Sequence, residues 1–315
     1  SFSLRSRAVE PPVPPLSLFH GRRHVLGDGV QRSAMTGTGV GMEYVDAHGA
    51  RVPAVGLGTW QLTGTACYKT VSTALELGYR HVDTAQLYDN EGAVGRAIAD
   101  ADVDRDDVFV TTKVAPRNAG YDDLIESVEG SLDRLDTEYV DLLLLHWPNP
   151  LVSVESTMAA MDQLVDRGLV SHVGVSNFPQ VFLDRARDAA DAPLVTNQVQ
   201  FHPYKPQRRM LSYCQDEGLA LTAYSPLARG TALDDDTVQR LAAAYDRTPA
   251  QIVLRWATQH HNVAVIPKTA DPAHLAENIA IFGFKLTGSE VEALTKPSLL
   301  KSGKAMLDGM VGELR

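Results

Sequence analysis

Three apolar runs in this sequence each end in a single ionisable side chain. A short strand read over Arg80 to Thr84 carries Asp83 at its end, Val108-Phe109-Val110-Thr111-Thr112 leads to Lys113, and Val140-Asp141-Leu142-Leu143-Leu144-Leu145 leads to His146. An ammonium at the end of an apolar strand needs a counter-charge, and Asp83 is the natural one. Tyr88, five residues past Asp83, adds a phenol. A cation within about 4–6 Å favours the phenolate and lowers a tyrosine pKa from its usual value near 10. On that reading Tyr88 gives its proton to a substrate oxygen as negative charge develops there. A neutral His146 would offer an N–H to the same oxygen. The sequence has no metal-ligand spacing and no nucleophile–base pair, so the reactant still missing is a hydride, which a nicotinamide cofactor supplies. Each residue also has a plainer reading: a packed histidine, a structural ion pair, a loop tyrosine.

The elements that must position these residues are regular. Asp83 to Lys113 is 30 residues and Lys113 to His146 is 33, about one strand-helix unit each. Residues 43–45 and 51–55 flank a turn at 46–49 and read as a hairpin. Strands are expected at 55–59, 80–84, 108–113, 140–146, 170–175, 195–201, 219–224 and 263–267. Amphipathic helices are expected at 67–77, 91–99, 121–135, 154–167, 179–189, 206–217, in two parts over 235–259, and at 272–281. Asp271 followed by Pro272 is a strong start for the last of these. Eight near-equal units predict an α/β chain closed as a (β/α)8 TIM barrel, with the N-terminal β-hairpin closing its bottom. A doubly wound sheet would more often carry a glycine-rich first turn. The barrel brings Asp83, Lys113 and His146 to one C-terminal rim.

Bulk properties narrow the function classes. A net charge of −10 argues against a nucleic-acid partner. No apolar run approaches the roughly 18 residues of a membrane span. Cys67 and Cys214 lie far apart and read as reduced packing residues, which fits a cytoplasmic protein. Asp outnumbers Glu 26 to 13 and Arg outnumbers Lys 21 to 8, a bias suited to a salt-rich cytoplasm or a GC-rich genome. Residues 1–41, with Pro11-Pro12-Val13-Pro14-Pro15, show no periodicity and are expected to be a disordered or non-native extension. Met35 and Met42 are candidate starts, and 42–315 is expected to form one domain.

The stretch 43–296 resembles the aldo-keto reductase superfamily, especially its short prokaryotic 2,5-diketo-D-gluconate reductase-like members. The matching motifs occur in order. They are Gly56-Leu57-Gly58-Thr59-Trp60, Asp83-Thr84-Ala85 with Tyr88-Asp89-Asn90-Glu91, Thr111-Thr112-Lys113 and His146-Trp147-Pro148. Gly174-Val175-Ser176-Asn177-Phe178, Asn197-Gln198-Val199-Gln200, Tyr224-Ser225-Pro226-Leu227 and Ile266-Pro267-Lys268-Thr269 follow. The resemblance implies a catalytic tetrad of Asp83, Tyr88, Lys113 and His146, and reduction of aldehydes or ketones, including α-dicarbonyls and keto-sugars. It implies NADPH as cofactor, with NADH a weaker alternative. Ser176, Asn177 and Gln198 would hold the nicotinamide carboxamide, and Tyr224 would stack on the ring. Ser225 and Leu227 would meet the pyrophosphate, Lys268 and Thr269 the 2′-phosphate, and Glu277 and Asn278 the adenine. Trp60 and Trp147 would wall the substrate pocket. A monomer is expected.

Two departures bear on specificity. Where NADPH-preferring members usually carry an arginine, six residues after the phosphate-binding lysine, this chain has His274. Histidine is charged only part of the time near neutral pH, so a modest NADPH preference is expected. The chain also ends soon after the last strand-helix unit, leaving little room for a long C-terminal substrate loop. Two rival readings stand beside the reductase. One is a Schiff-base aldolase using Lys113, which leaves Ser176, Gln198 and Tyr224 without a role. The other is a nucleotide-binding redox sensor with little turnover.

Overall fold

A tight hairpin precedes the repeating units in the computed structural model, which describes residues 41–295. Strands β1 (Tyr44–Ala47) and β2 (Ala50–Pro53) pair antiparallel. His48 and Gly49 join them, both at positive φ (45° and 87°), the backbone that a two-residue hairpin turn requires.

Eight parallel strands follow: β3 (Leu57–Gly58), β4 (His81–Asp83), β5 (Phe109–Val114), β6 (Val140–Leu145), β7 (Val170–Ser176), β8 (Leu194–Gln200), β9 (Ala220–Tyr224) and β10 (Val263–Val265). Each pairs with its sequence neighbour. The first and last strands then meet. Val265 N donates to Ala54 O at 2.9 Å, Gly56 N to Val265 O at 2.8 Å, and Gly58 N to Pro267 O at 3.1 Å. The sheet is therefore a closed barrel. Two glycines allow the close packing around β3, Gly58 at the seam and Gly56 against β4. A Cβ at Gly58 would fall 2.7 Å from Ile266 O, and one at Gly56 would fall 2.5 Å from the His81 ring.

Along β6 alternate side chains go to opposite faces, as strand geometry dictates. Leu143 and Leu145 join the outer core against the helices, whereas Leu142 and Leu144 point into the barrel. There they pack with Val45, Ala47, Ala50 and Val52 of the hairpin, Val195, Ala220 and Ala264, so the hairpin plugs the N-terminal mouth.

The helices are α1 (Gly64–Glu76), α2 (Glu91–Ala99), α3 (Tyr121–Leu135), α4 (Val154–Asp166), α5 (Gln180–Ala189), α6 (Arg208–Asp216), α7 (Asp236–Tyr245), α8 (Pro249–Thr258), α9 (Pro272–Ile279) and α10 (Gly288–Leu294). Asp271 caps α9 through Ala273 N, with Pro272 in the first turn as expected. The two-part stretch resolves into α7 and α8, the latter opened by a capping box of Thr248 and Gln251. Helix α10 was not expected, although Thr287 and Glu290 announce it with the same box. Strand β3 is shorter than 55–59, because residues 54–56 reach β10 by isolated bonds instead of a full ladder. No described helix is long and apolar enough to cross a membrane. Residues 1–40 of the expected extension lie outside the described residues, as do those after Thr295.

Candidate active site

Period-two alternation aims the chemistry inward. On β4 and β5, Val82, Val110 and Val114 face the helices, leaving His81, Asp83, Thr111 and Lys113 for the barrel interior. One layer below the rim, His81 Nε2 lies 3.1 Å from Thr111 Oγ1. At the rim, fully buried Lys113 is ion-paired to Asp83 Oδ1. The other carboxylate oxygen, Oδ2, accepts from Gln198 Nε2 at 2.7 Å. Lys113 Nζ also donates to Thr84 O at 2.9 Å and reaches the Tyr88 hydroxyl at 3.4 Å. Each buried charge thus has several partners, the condition under which such a pair is tolerated.

Tyr88 ends a short 3-10 turn, Gln86–Tyr88, and both flanks of that turn are tied down. Gln86 donates to Ser127 and Ser131 and accepts from Ala115 N and Asn118. Buried Asn90 donates to Thr59 O (2.9 Å) and Leu62 O (2.8 Å) and accepts from Thr84 Oγ1 (2.6 Å). Asn90 looks in sequence like the cap of α2, yet its side chain does not cap that helix. It binds the β3 loop to the β4 loop. Gln86 and Asn90 are supports of the Tyr88 turn that the spacing argument missed, since all their partners except Thr84 lie 28 or more positions away.

The electrostatics correct one expectation. Burial pushes the Tyr88 phenol above its ordinary value, and the Lys113 ammonium offsets this only in part. The phenol therefore keeps its proton until a substrate oxygen becomes more basic. For Lys113, burial disfavours the charge, but Asp83 and Tyr88 outweigh it and hold the ammonium above its usual range. A lysine so firmly protonated is poorly suited to imine formation, which counts against the aldolase reading. His146 is lowered to about 3, first by burial and then by Lys113, so its ring is neutral. That ring stands edge-on to Tyr88 with centroids 5.7 Å apart.

The proposed cofactor residues continue from this centre. Asn177, at φ 61°, donates to His146 O (3.2 Å) and to Ser176 Oγ (3.0 Å), and accepts from the Tyr224 hydroxyl (2.9 Å). Ser176 Oγ donates to Gln198 O at 2.9 Å. Asp83, Gln198, Ser176, Asn177, His146 and Tyr224 are thereby linked in one network. Gln198 Oε1 accepts no bond from a described residue, which leaves an acceptor for a carboxamide. Next come Ser225, with φ 48°, and half-buried Leu227. Lys268 is exposed after β10, and Thr269 Oγ1 accepts from Asp271 N at 3.1 Å. His274 is exposed in the first turn of α9, Glu277 is half-buried and Asn278 is buried; no side-chain bond joins these three to the network. Trp60 is half-buried and Trp147 is 48% exposed, both beside the rim. An amide–hydroxyl cluster, an aromatic ring and an exposed cation, in that order along one rim, fit a dinucleotide.

A barrel with a protonated acid, a fixed ammonium and a neutral imidazole on its rim fits an oxidoreductase that acts on carbonyl groups. Residues 54–298 match the sequence profile described as the Aldo/keto reductase family. The chain is 41% identical over 246 residues to methylglyoxal reductase DkgB of Escherichia coli O157:H7, covering 77% of this chain and 92% of that protein. It is 40% identical over 242 residues to 2,5-diketo-D-gluconic acid reductase B of a Corynebacterium species, covering 76% and 87% respectively. The crystal structure of an aldo/keto reductase from Brucella melitensis superposes with a TM-score of 0.77 at 37% identity, over 81% of this chain and 99% of that one. The chain belongs to the aldo/keto reductase family. It is an oxidoreductase of the NAD(P)H-using class.

Proposed function

We propose that this enzyme reduces small α-dicarbonyls or keto-sugars to alcohols, with NADPH preferred over NADH. The chemistry that a bound dinucleotide would supply is a hydride. Tyr88 donates the proton that the carbonyl oxygen takes up. Lys113, held by Asp83, stabilises the phenolate left behind, and neutral His146 orients the carbonyl by a hydrogen bond. Ser176, Asn177 and Gln198 would hold the carboxamide and Tyr224 would cover the ring face. Ser225 and Leu227 would meet the diphosphate, Lys268 and Thr269 the 2′-phosphate, and Glu277 and Asn278 the adenine. Trp60 and Trp147 would wall the substrate. The observation that carries the reading is the 3.4 Å approach of Lys113 Nζ to the Tyr88 hydroxyl, beside the His146 ring.

The substrate class is taken from the relatives named above, which bear the names of dicarbonyl and diketo-acid reductases. Loss of nicotinamide absorbance on adding methylglyoxal or a diketo sugar acid tests the proposal. Tight dinucleotide binding without turnover on either would overturn it. For the cofactor, exposed Lys268 offers one fixed charge to the 2′-phosphate, and His274 replaces the second. His274→Arg should tighten NADPH binding and leave NADH unchanged; an equal effect on both would remove His274 from the phosphate site. We further take residues 42–315 as the catalytic unit, monomeric and cytoplasmic. A chain beginning at Met42 should keep its activity and sediment as one copy.

A further inference from the structure

Ser127, Ser131 and Arg134 stand at i, i+4 and i+7 on α3, the spacing of one helix face. A polar stripe of that kind normally meets solvent, yet Ser131 is fully buried. It faces the turn that carries Tyr88. Ser131 Oγ accepts from Gln86 Nε2 at 3.2 Å, on the near side of that turn, and from Arg134 Nη2 at 3.1 Å. The same guanidinium reaches the far side. Its Nε (2.8 Å) and Nη2 (2.7 Å) both meet Oε2 of Glu91, the first residue of α2. The second oxygen of Glu91, Oε1, accepts from Thr112 Oγ1 at 2.6 Å. Thr112 immediately precedes Lys113 on β5, and period-two alternation turns its side chain outward, toward the helices.

Gln86 lies just before Tyr88 and Glu91 just after it, and one arginine holds both. Through Glu91 and Thr112 the same network extends to the strand that carries Lys113. Arg134 thus ties the turn of the phenol to the strand of the ammonium, two groups 3.4 Å apart. The packing leaves room for this. A Cβ at Gly130, one turn earlier on α3, would lie 3.2 Å from Arg134 Nη1. At Gly95 helix α2 meets the end of α3 so closely that a Cβ would fall 2.1 Å from Leu135 O. The Arg134 side chain is 49% exposed and that of Glu91 only 2%, so a buried carboxylate depends on a cation that arrives from the outer surface. We propose that Arg134 is a positioning residue for proton transfer, which sets the Tyr88 hydroxyl against Lys113 from outside the barrel. The proposal rests on the functional reading above, in which Tyr88 is the acid.

Arg134→Met keeps an aliphatic stem and removes every donor. A small misplacement of the phenol should lower the single-turnover rate of methylglyoxal reduction about tenfold. The NADPH dissociation constant, read by fluorescence titration, should stay at the wild-type value. With the phenol farther from the ammonium its pKa rises, so the basic limb of alcohol oxidation should move to higher pH. A contact that served the fold alone would lower the urea midpoint and leave that limb in place. Arg134→Lys, which keeps the charge but not the planar fork, should recover part of the rate. If the stranded Glu91 prevents Arg134→Met from folding, Glu91→Gln/Arg134→Met leaves no buried charge there and should give the same rate loss and shift. A wild-type rate, or an unshifted limb at any rate, would overturn the proposal. A wild-type rate in Tyr88→Phe would instead remove the functional reading, an outcome separate from any result at position 134.

Discussion

In the proposed mechanism Asp83, Lys113 and Tyr88 act as one unit, and the physical demands on each differ. Tyr88 must remain protonated in the resting site and part with that proton on demand. Burial secures the first and Lys113 assists the second. Tyr88→Phe should therefore lower kcat by about 100-fold or more and leave NADPH affinity nearly unchanged. Turnover close to wild type would remove Tyr88 as the acid. Lys113→Met takes away the one charge that opposes the rise in the phenol pKa, while Asp83 still raises it. The basic limb of the alcohol-oxidation profile should then move to higher pH. Removing the ammonium alone also strands a buried carboxylate, at a cost of about 3–5 kcal/mol. The pH profile should thus be compared in Asp83→Asn/Lys113→Met as well. A uniform rate loss with an unshifted limb in both would contradict the assignment.

At the scale of elements, the strands that carry the candidate site are legible because short, mostly apolar runs recur at near-equal spacing and lead to Asp83, Lys113 and His146. The same simplicity hid the loops. Asn90 follows the tyrosine loop and precedes a helix, so sequence logic makes it a cap. The fold uses it to join Thr59, Leu62 and Thr84. Helix α10 is announced in the sequence by the capping box of Thr287 and Glu290, but at seven residues it is too short to show a clear period. The Tyr88 pKa was misjudged for a related reason: a cation can be placed by spacing, but burial requires the packed loop. Asn90→Ala should cost about 1–3 kcal/mol in urea unfolding, from buried carbonyls left without a donor. It should also lower kcat by loosening the Tyr88 turn. A variant with wild-type stability and kcat would show that the Gln86 contacts suffice.

For the molecule as a whole, buried neutral histidines set the acid limit of stability. His81 and His202 are each lowered to about 4 by burial, and His146 to about 3. In the unfolded chain they titrate near 6.5. Between those values the unfolded state binds more protons, so stability is complete above about pH 6.5 and falls as pH drops toward 4. Each of the two fully buried rings, His81 and His202, should cost about 2 kcal/mol between pH 7 and pH 5. Carboxylates contribute little there because they titrate mainly below about pH 4.5. Urea midpoints at the two pH values measure the slope, and His81→Gln should flatten it. An equally steep slope in that variant would assign the acid sensitivity to other groups.

The seam that closes the barrel has a consequence for how the protein is made. Val55 and Val265 are bridge partners 210 positions apart, so the first barrel strand waits for nearly the whole chain before it gains its second neighbour. Such long-range pairing slows folding. By the time His146 has been synthesised, all four side chains proposed for catalysis exist, but the residues proposed for the far end of the dinucleotide do not. A nascent or truncated chain ending before Val263 would carry Asp83, Tyr88, Lys113 and His146 on an open sheet with two unpaired edges, a form prone to associate through those edges. Reductase activity should therefore emerge only when translation passes the last strand, and until then the nascent barrel depends on being shielded.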